Sequence, residues 1–294
     1  MSTPSRVVSL APALTQLIVE LGAASELVGV AEYDTLAPKG LPVVGNFLDV
    51  NGEALITARP TLVITMTGKG GVPARLSELS QAVGFEVVSV ASPESVREID
   101  AALRIVARAM DREQRGEELS ERLHQQIAAI KRVTAEQPRL RVLLVIGTGP
   151  IMASGPGTVL DELLSLAGGI NAAGGSPVRA PTFDREGLLS ARPDVIVMLT
   201  PGGAPLGPIE TDARLAELRG LEIPATQSGR VLQINDPLTH VPGTNVVRTI
   251  ALLAKALHPS LAQQIDDALR AIDVRETVDR AAAESPAVAE SIHR

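Results

Sequence analysis

Residues 53 and 186 begin two copies of one sequence pattern, 133 positions apart. The first copy, Glu53–Ile64, is EALITARPTLVI, and the second, Glu186–Val197, is EGLLSARPDVIV. Each copy predicts a short helix that ends before proline, since the residue preceding proline avoids helical backbone. The apolar run after each proline predicts a buried strand. A duplication of this kind favours two related lobes over one continuous core.

Strand and helix patterns alternate on both sides of the duplicated stretch. Short apolar strands are predicted at Arg6–Leu10, Leu27–Val30, Thr61–Thr65, Phe85–Val90, Leu140–Ile146, Asp194–Met198 and Arg230–Ile234. The segments between them predict helices, including a short one at Arg214–Arg219, and Gly147–Gly157 is expected to be a glycine-rich loop. Strands that alternate with helices indicate mainly parallel sheets.

A charge-rich helix is predicted between the two halves. Its apolar stripe at helical spacing consists of Leu119, Leu123, Ile127, Ile130 and Val133. We expect an N-terminal lobe at 1–110, a bridging helix at 111–138, a C-terminal lobe at 139–258 and a helical or disordered tail at 259–294. An ordinary surface helix is the alternative for the bridging segment. The predicted fold is α/β, with two Rossmann-like lobes, mainly parallel sheets, and a ligand cleft between the lobes beyond the carboxyl ends of the strands.

Composition excludes several classes of function. The net charge of −7 gives no electrostatic footprint for nucleic acid, and the absence of cysteine excludes thiolate metal sites, disulfides and cysteine nucleophiles. The chain contains no His-Glu-x-x-His, Gly-x-Ser-x-Gly or Walker A motif. It also contains no apolar run near the roughly 20 residues of a membrane span, and no secretory signal pattern. We therefore predict a protein that is not an enzyme.

Aromatic residues are so scarce that their positions become informative. The chain has one tyrosine, three phenylalanines and no tryptophan. Phe85 is expected in the core, whereas Tyr33, Phe47 and Phe183 are predicted in loops that rim the cleft. Rings in such loops suit a flat or macrocyclic ligand. The alternative is that these rings fill the edges of the lobes.

Several polar residues are candidates for ligand contact. Asp236 and His240 follow a predicted strand on the cleft side, and Arg248 is expected to pair with Asp236 or with a ligand carboxylate. Lys69 either meets an anionic ligand or is a solvated loop lysine. The remaining ligand-binding candidates are Pro12, Asn46 and Thr148. His258 ends a predicted helix, where a cation suits the helix dipole.

The chain resembles a known family over residues 5–259. The motifs that carry the resemblance are RVVSLAPALT at Arg6–Thr15, Leu21-Gly22, Leu27–Val30, Val44-Gly45, the Glu53 repeat, Gly157-Thr158, Leu166–Gly169 and Asn171. They resemble the ABC-transporter substrate-binding proteins for cobalamin, ferric siderophores and haem. The resemblance implies a monomer with no intrinsic cofactor that delivers a cobalt or iron chelate to a membrane permease. It also implies a periplasmic or cell-surface location. Because the sequence shows no signal-peptide pattern, either the chain is cytoplasmic or its leader lies outside this sequence.

By the same resemblance, Glu53 and Glu186 pair with arginines of the permease dimer. Two carboxylates on duplicated elements suit a two-fold partner, and the alternative is that both only favour a helix N-terminus. The haem branch often has a tyrosinate near the position of Asn46, for which Tyr33 or His240 would substitute here. The cobalamin branch usually has tryptophan in its cleft, which this chain lacks. A cytosolic sensor or carrier, or a chelatase-like metalloenzyme on the same fold, remains as an alternative.

Overall fold

The chain divides into two compact units. The structure is a computed structural model that describes residues 5–68, 71–200, 207–208, 218, 220–239 and 241–284. The first unit contains the chain up to Ser120 together with Val241–Asn245. The second unit contains Glu121–His240 and the chain from Val246 onward.

The first unit contains a four-stranded sheet in which every pair is parallel. Its strands are β1 (Val7–Ser9), β2 (Leu27–Gly29), β3 (Leu62–Thr67) and β4 (Glu86–Ala91), in the order β2-β1-β3-β4. Its helices are α1 (Pro12–Glu20), α2 (Gly52–Ala58), α3 (Ala74–Val83) and α4 (Val96–Ala109). The side chains of β1 and most of β3 are buried, as expected for short apolar strands covered on both faces.

A long helix, α5 (Glu113–Thr134), follows α4. The boundary between the two units falls inside it, after Ser120. Of its predicted apolar stripe, Leu119, Leu123, Ile127 and Ile130 are buried. The two units are therefore connected through an uninterrupted helix.

The second unit contains a seven-stranded mixed sheet. Its strands are β5 (Arg141–Gly147), β6 (Ile151–Ala153), β7 (Ile170–Asn171), β8 (Thr182–Phe183), β9 (Val195–Thr200), β10 (Gly207–Pro208) and β11 (Val231–Asn235). The order is β10-β11-β9-β5-β6-β8, with β7 beside β5. β5, β7, β9 and β11 are parallel, whereas β6, β8 and β10 pair antiparallel. The helices are α6 (Val159–Leu166), α7 (Arg185–Ala191), α8 (Pro224–Gln227), α9 (Val246–Leu257) and α10 (Ala262–Glu284).

These elements confirm the predicted α/β fold class with a long connecting helix. One segment is corrected, because the predicted loop at Gly147–Gly157 contains β6, which folds back antiparallel on β5. Most of the predicted helix at Arg214–Arg219 lies outside the described residues. None of the helices in the described part of the chain combines the length and apolar character needed to span a membrane.

His258 directly follows the end of α9, as predicted, but its surroundings disfavour the cation expected there. His258 is buried after α9, and the structure gives its Nε2 atom no hydrogen-bond partner. Burial lowers the pKa of its imidazole, and the nearby guanidinium of Arg230 lowers this pKa further. Both effects favour the neutral ring.

Candidate functional site

Three predicted ligand-binding residues follow neighbouring parallel strands in the first unit. Pro12 begins α1 after β1, and Tyr33 lies in the loop after β2. Lys69, after β3, lies outside the described residues. Tyr33 has a φ of 57° and is 93% exposed, so its ring is presented to solvent. Because carboxyl ends of parallel strands share one sheet edge, Pro12 and Tyr33 belong to the same candidate surface.

The loop that contains Asn46 and Phe47 packs beside the segment of Tyr33. The Glu32 amide donates to the Gly45 carbonyl at 2.9 Å, and Asn46 Oδ1 accepts hydrogen bonds from the amides of Leu48 (2.8 Å) and Asp49 (3.0 Å). Asn46 thus shapes the turn that carries its neighbours. Phe47 is half-buried against the apolar core of the first unit, which favours an edge-filling role for its ring.

In this turn, position 45 requires glycine. Gly45 has a φ of 92°, and a Cβ there would lie 2.3 Å from the carbonyl oxygen of Asp49. A side chain at this position would therefore displace the turn that holds Asn46 beside the Tyr33 segment.

In the second unit, polar side chains collect where β9 and β11 end. The Gln233 amide nitrogen donates to Thr200 Oγ1 at 2.8 Å and to Asn235 Oδ1 at 2.6 Å, and the Thr200 hydroxyl also donates to Asn235. Thr148 follows β5, which neighbours β9 in the sheet. Sequence reasoning missed Thr200, Gln233 and Asn235. The available signal was a glutamine within the otherwise apolar run VLQI.

Asp236 and Arg248 form the predicted ion pair. The Asp236 side chain is only 3% exposed, and its Oδ2 accepts from Arg248 Nε, while its Oδ1 accepts from the Leu238 amide at 2.9 Å. Arg248 is the third residue of α9, and its side chain is 58% exposed. A buried carboxylate therefore orients a partly exposed cation, an arrangement that suits an anionic ligand group.

The other two candidates in the second unit differ from expectation or lie outside the structure. Phe183 lies in β8, paired with Ile151, and is half-buried against the core of the second unit. Its predicted placement in a loop is wrong, because antiparallel pairing with β6 makes it part of a strand. His240 lies outside the described residues.

Glu53 and Glu186 occupy the same place in two nearly identical helices. Each is the second residue of a seven-residue helix, α2 or α7, and each is exposed. Within the described part of the chain neither carboxylate forms an ion pair or a hydrogen bond. Both carboxylates are therefore available to a partner.

The ends of α2 and α7 are also built alike. The N-caps Asn51 and Asp184 accept from the backbone three residues later, at Ala54 and Gly187. The C-cap residues are Arg59 and Arg192, which adopt left-handed backbone with φ of 48° and 42°.

In each unit an arginine at the start of the first strand donates hydrogen bonds to the C-terminal end of α2 or α7. Arg6 donates to the carbonyls of Ala58 (2.7 Å) and Arg59 (2.9 Å). In the second unit Arg141 donates to the carbonyl of Ala191 at 3.0 Å. Sequence reasoning missed both arginines, although their spacing from the repeats is nearly equal.

The described residues offer no ready metal centre. Among them, no three histidine or carboxylate side chains lie close enough to hold a metal ion. The described residues therefore do not support a metal site made of protein side chains alone.

Comparison with known proteins identifies the relatives of this fold. A family described as periplasmic binding protein matches residues 7–238. The vitamin B12-binding protein of Photorhabdus laumondii is 29% identical over 199 residues, covering 67% of this chain and 71% of the relative. A periplasmic haem-binding protein of Pseudomonas aeruginosa is 27% identical, with 88% of this chain and 94% of that chain covered and a TM-score of 0.69. A haem-binding protein of Vibrio cholerae matches in fold, with a TM-score of 0.75 at 24% identity over 87% of this chain and 100% of that chain.

The matched family spans both units, and the duplicated helix–strand elements lie within it. Proteins of this family bind solutes and are not enzymes. This chain belongs to the periplasmic binding protein family.

Proposed function

We propose that this protein is the solute-binding component of an ABC importer for a cobalt or iron chelate. In this role it captures cobalamin, haem or a ferric siderophore in the periplasm or at the cell surface and delivers it to a membrane permease. The relatives named for vitamin B12 and haem support this ligand class.

The contacts to the chelate would come from the loops at the carboxyl ends of the strands. Tyr33 offers an exposed aromatic ring, and Arg248 offers a cation oriented by Asp236. A ring of this kind stacks on a flat macrocycle, and a guanidinium binds carboxylate or phosphate groups at the edge of such a ligand. The set proposed from sequence also contains Pro12, Asn46, Phe47, Lys69, Thr148, Phe183 and His240.

The observation that carries the proposal is the duplicated pair of exposed glutamates. Glu53 and Glu186 lie on helices with matching lengths, N-caps and left-handed C-caps. A partner with two equivalent subunits needs the same contact twice, and one chain can supply it only through an internal repeat. We propose that each carboxylate binds a cation on one permease subunit.

Ligand capture is tested by thermal unfolding with cyanocobalamin, haemin and ferric enterobactin, each in excess. A ligand that binds only the folded chain raises the melting temperature by mass action, so one of the three probes should give a concentration-dependent rise. Tyr33→Ala and Arg248→Ala should reduce that rise. If none of the three probes shifts the melting temperature, the proposed ligand class is wrong.

Delivery is tested with the permease dimer of the source organism in lipid nanodiscs. The double variant Glu53→Gln/Glu186→Gln should bind the permease at least roughly tenfold more weakly while retaining ligand affinity. Glu113→Gln is the control, because Glu113 is likewise an exposed carboxylate in the first turn of a helix, α5, and lies outside the repeat. Unchanged permease binding by the double variant would contradict the docking role, and ligand binding without permease binding would favour a soluble carrier.

A further inference from the structure

The exposed faces of α2 and α7 share an aliphatic residue as well as a glutamate. Ile56 and Leu189 are each 44% exposed, and each lies three residues after its glutamate. Residues three apart in a helix are neighbours on one face, so each carboxylate has an exposed aliphatic side chain beside it. The buried positions repeat as well, since Leu55 and Leu188 are fully buried.

The match between Ile56 and Leu189 stands out from the other exposed apolar residues. Single exposed aliphatic residues are common on protein surfaces and need no explanation. Among the large apolar side chains that the described ranges leave exposed, however, only Ile56 and Leu189 are related by the 133-residue spacing. A side chain that is exposed in both copies, beside an unpaired carboxylate in both, indicates a shared contact.

We propose that each permease contact is bipartite, with Glu53 and Ile56 forming one docking point and Glu186 and Leu189 forming the other. This inference rests on the proposed function. The partner it fits has two equivalent sites, each with an arginine or lysine beside an apolar depression. The carboxylate governs encounter and orientation, and the aliphatic side chain prolongs the complex by leaving water on contact.

A second copy of this chain is the less suitable occupant of these faces. A two-fold dimer through one helix would occupy only one of the two repeated faces, and so would not explain why both copies are exposed. The Arg59 and Arg192 side chains, which follow the two helices, are also exposed, so each face keeps its charged groups open to solvent.

The test measures binding of the full chain to the nanodisc permease at low and high salt. Ile56→Ser/Leu189→Ser should weaken binding by roughly tenfold or more, through faster dissociation and with the salt dependence unchanged. Glu53→Gln/Glu186→Gln should instead slow association and flatten the salt dependence. Ile105→Ser/Ile170→Ser is the matched control, because these residues are 42% and 41% exposed and lie outside the repeat.

The possible outcomes separate this inference from the proposed function. If the Ile56/Leu189 variant binds like its control while the glutamate variant loses binding, the bipartite contact is wrong and the docking role stands. If the glutamate variant binds like wild type, the docking role itself fails. Ile56→Ala/Leu189→Ala is a milder variant that controls for a folding defect in the serine variant. It should also dissociate faster from the permease than wild type, but by a smaller factor than the serine variant. Dimerisation that disappears in the Ser variant would assign the face to self-association and overturn the proposal.

Discussion

The two units have the same structure in their duplicated helix–strand pairs but differ in the loops at the carboxyl ends of their strands. The helix–strand pairs α2–β3 and α7–β9 match in helix length, strand length and backbone caps. The carboxyl-end loops differ, because the second unit adds antiparallel β6, β8 and β10, whereas the first sheet is wholly parallel. Under the proposed function this division has a reason. A symmetric permease requires two similar docking helices, whereas an asymmetric ligand requires dissimilar binding loops.

The largest effect on stability is expected when the buried leucines of α2 and α7 are replaced. Leu55→Ala and Leu188→Ala each remove a fully buried side chain and should each cost about 2–4 kcal/mol in the free energy of unfolding. Denaturant unfolding measures both. Leu189→Ala, at a half-exposed position on the same helix as Leu188, should cost much less. A negligible loss at either buried leucine would break the equivalence of the two helices.

A smaller effect is expected from the arginines that hold the helix ends. Arg6→Ala removes two hydrogen bonds to carbonyls and should cost about 1–2 kcal/mol, whereas Arg141→Ala removes one and should cost about 1 kcal/mol. Both are read from the midpoints of urea unfolding, with the lysine variants as controls that retain charge. A larger loss of unfolding free energy in Arg141→Ala than in Arg6→Ala would contradict the equivalent role assigned to the two arginines.

The smallest effect on stability is expected at a buried position where the two units have different residues. Met110 is buried after α4, whereas His258 is buried after α9. Because the pKa of His258 is lowered in the folded chain, the unfolded chain binds more protons between that lowered value and about 6.5. Stability should therefore fall as the pH drops below about 7.

His258→Met tests this by copying the residue of the first unit. The difference in unfolding free energy between wild type and variant should shift in favour of the variant as the pH falls from about 7.5 to about 5.5. A difference that does not change with pH would contradict the role assigned to His258.

Sequence patterns predicted the elements with buried apolar strands and explicit helix signals. The strand predicted at Leu140–Ile146 is observed at Arg141–Gly147, and the short helices predicted before proline in the two repeats are observed as α2 and α7. The prediction that Asp236 and Arg248 pair is also confirmed. These features are local, so spacing and residue type determine them.

The failures concern features that depend on tertiary context. β6 has three residues and exists because it pairs with β5, which glycine content alone did not reveal. Phe183 lies in the sheet for the same reason. The burial of His258 depends on packing within the second unit, and helical spacing indicated only its position at the end of a helix. The carboxyl-end cluster of Thr200, Gln233 and Asn235 forms only when β9 and β11 pair in register.

The most direct test of the duplicated docking surface is the permease affinity of Glu53→Gln and Glu186→Gln, measured singly and together. Two equivalent docking points predict similar losses for the single variants and a double-variant loss close to their sum in free energy. A large loss at one glutamate with none at the other would contradict the account, because the repeated helices would then not serve the same purpose.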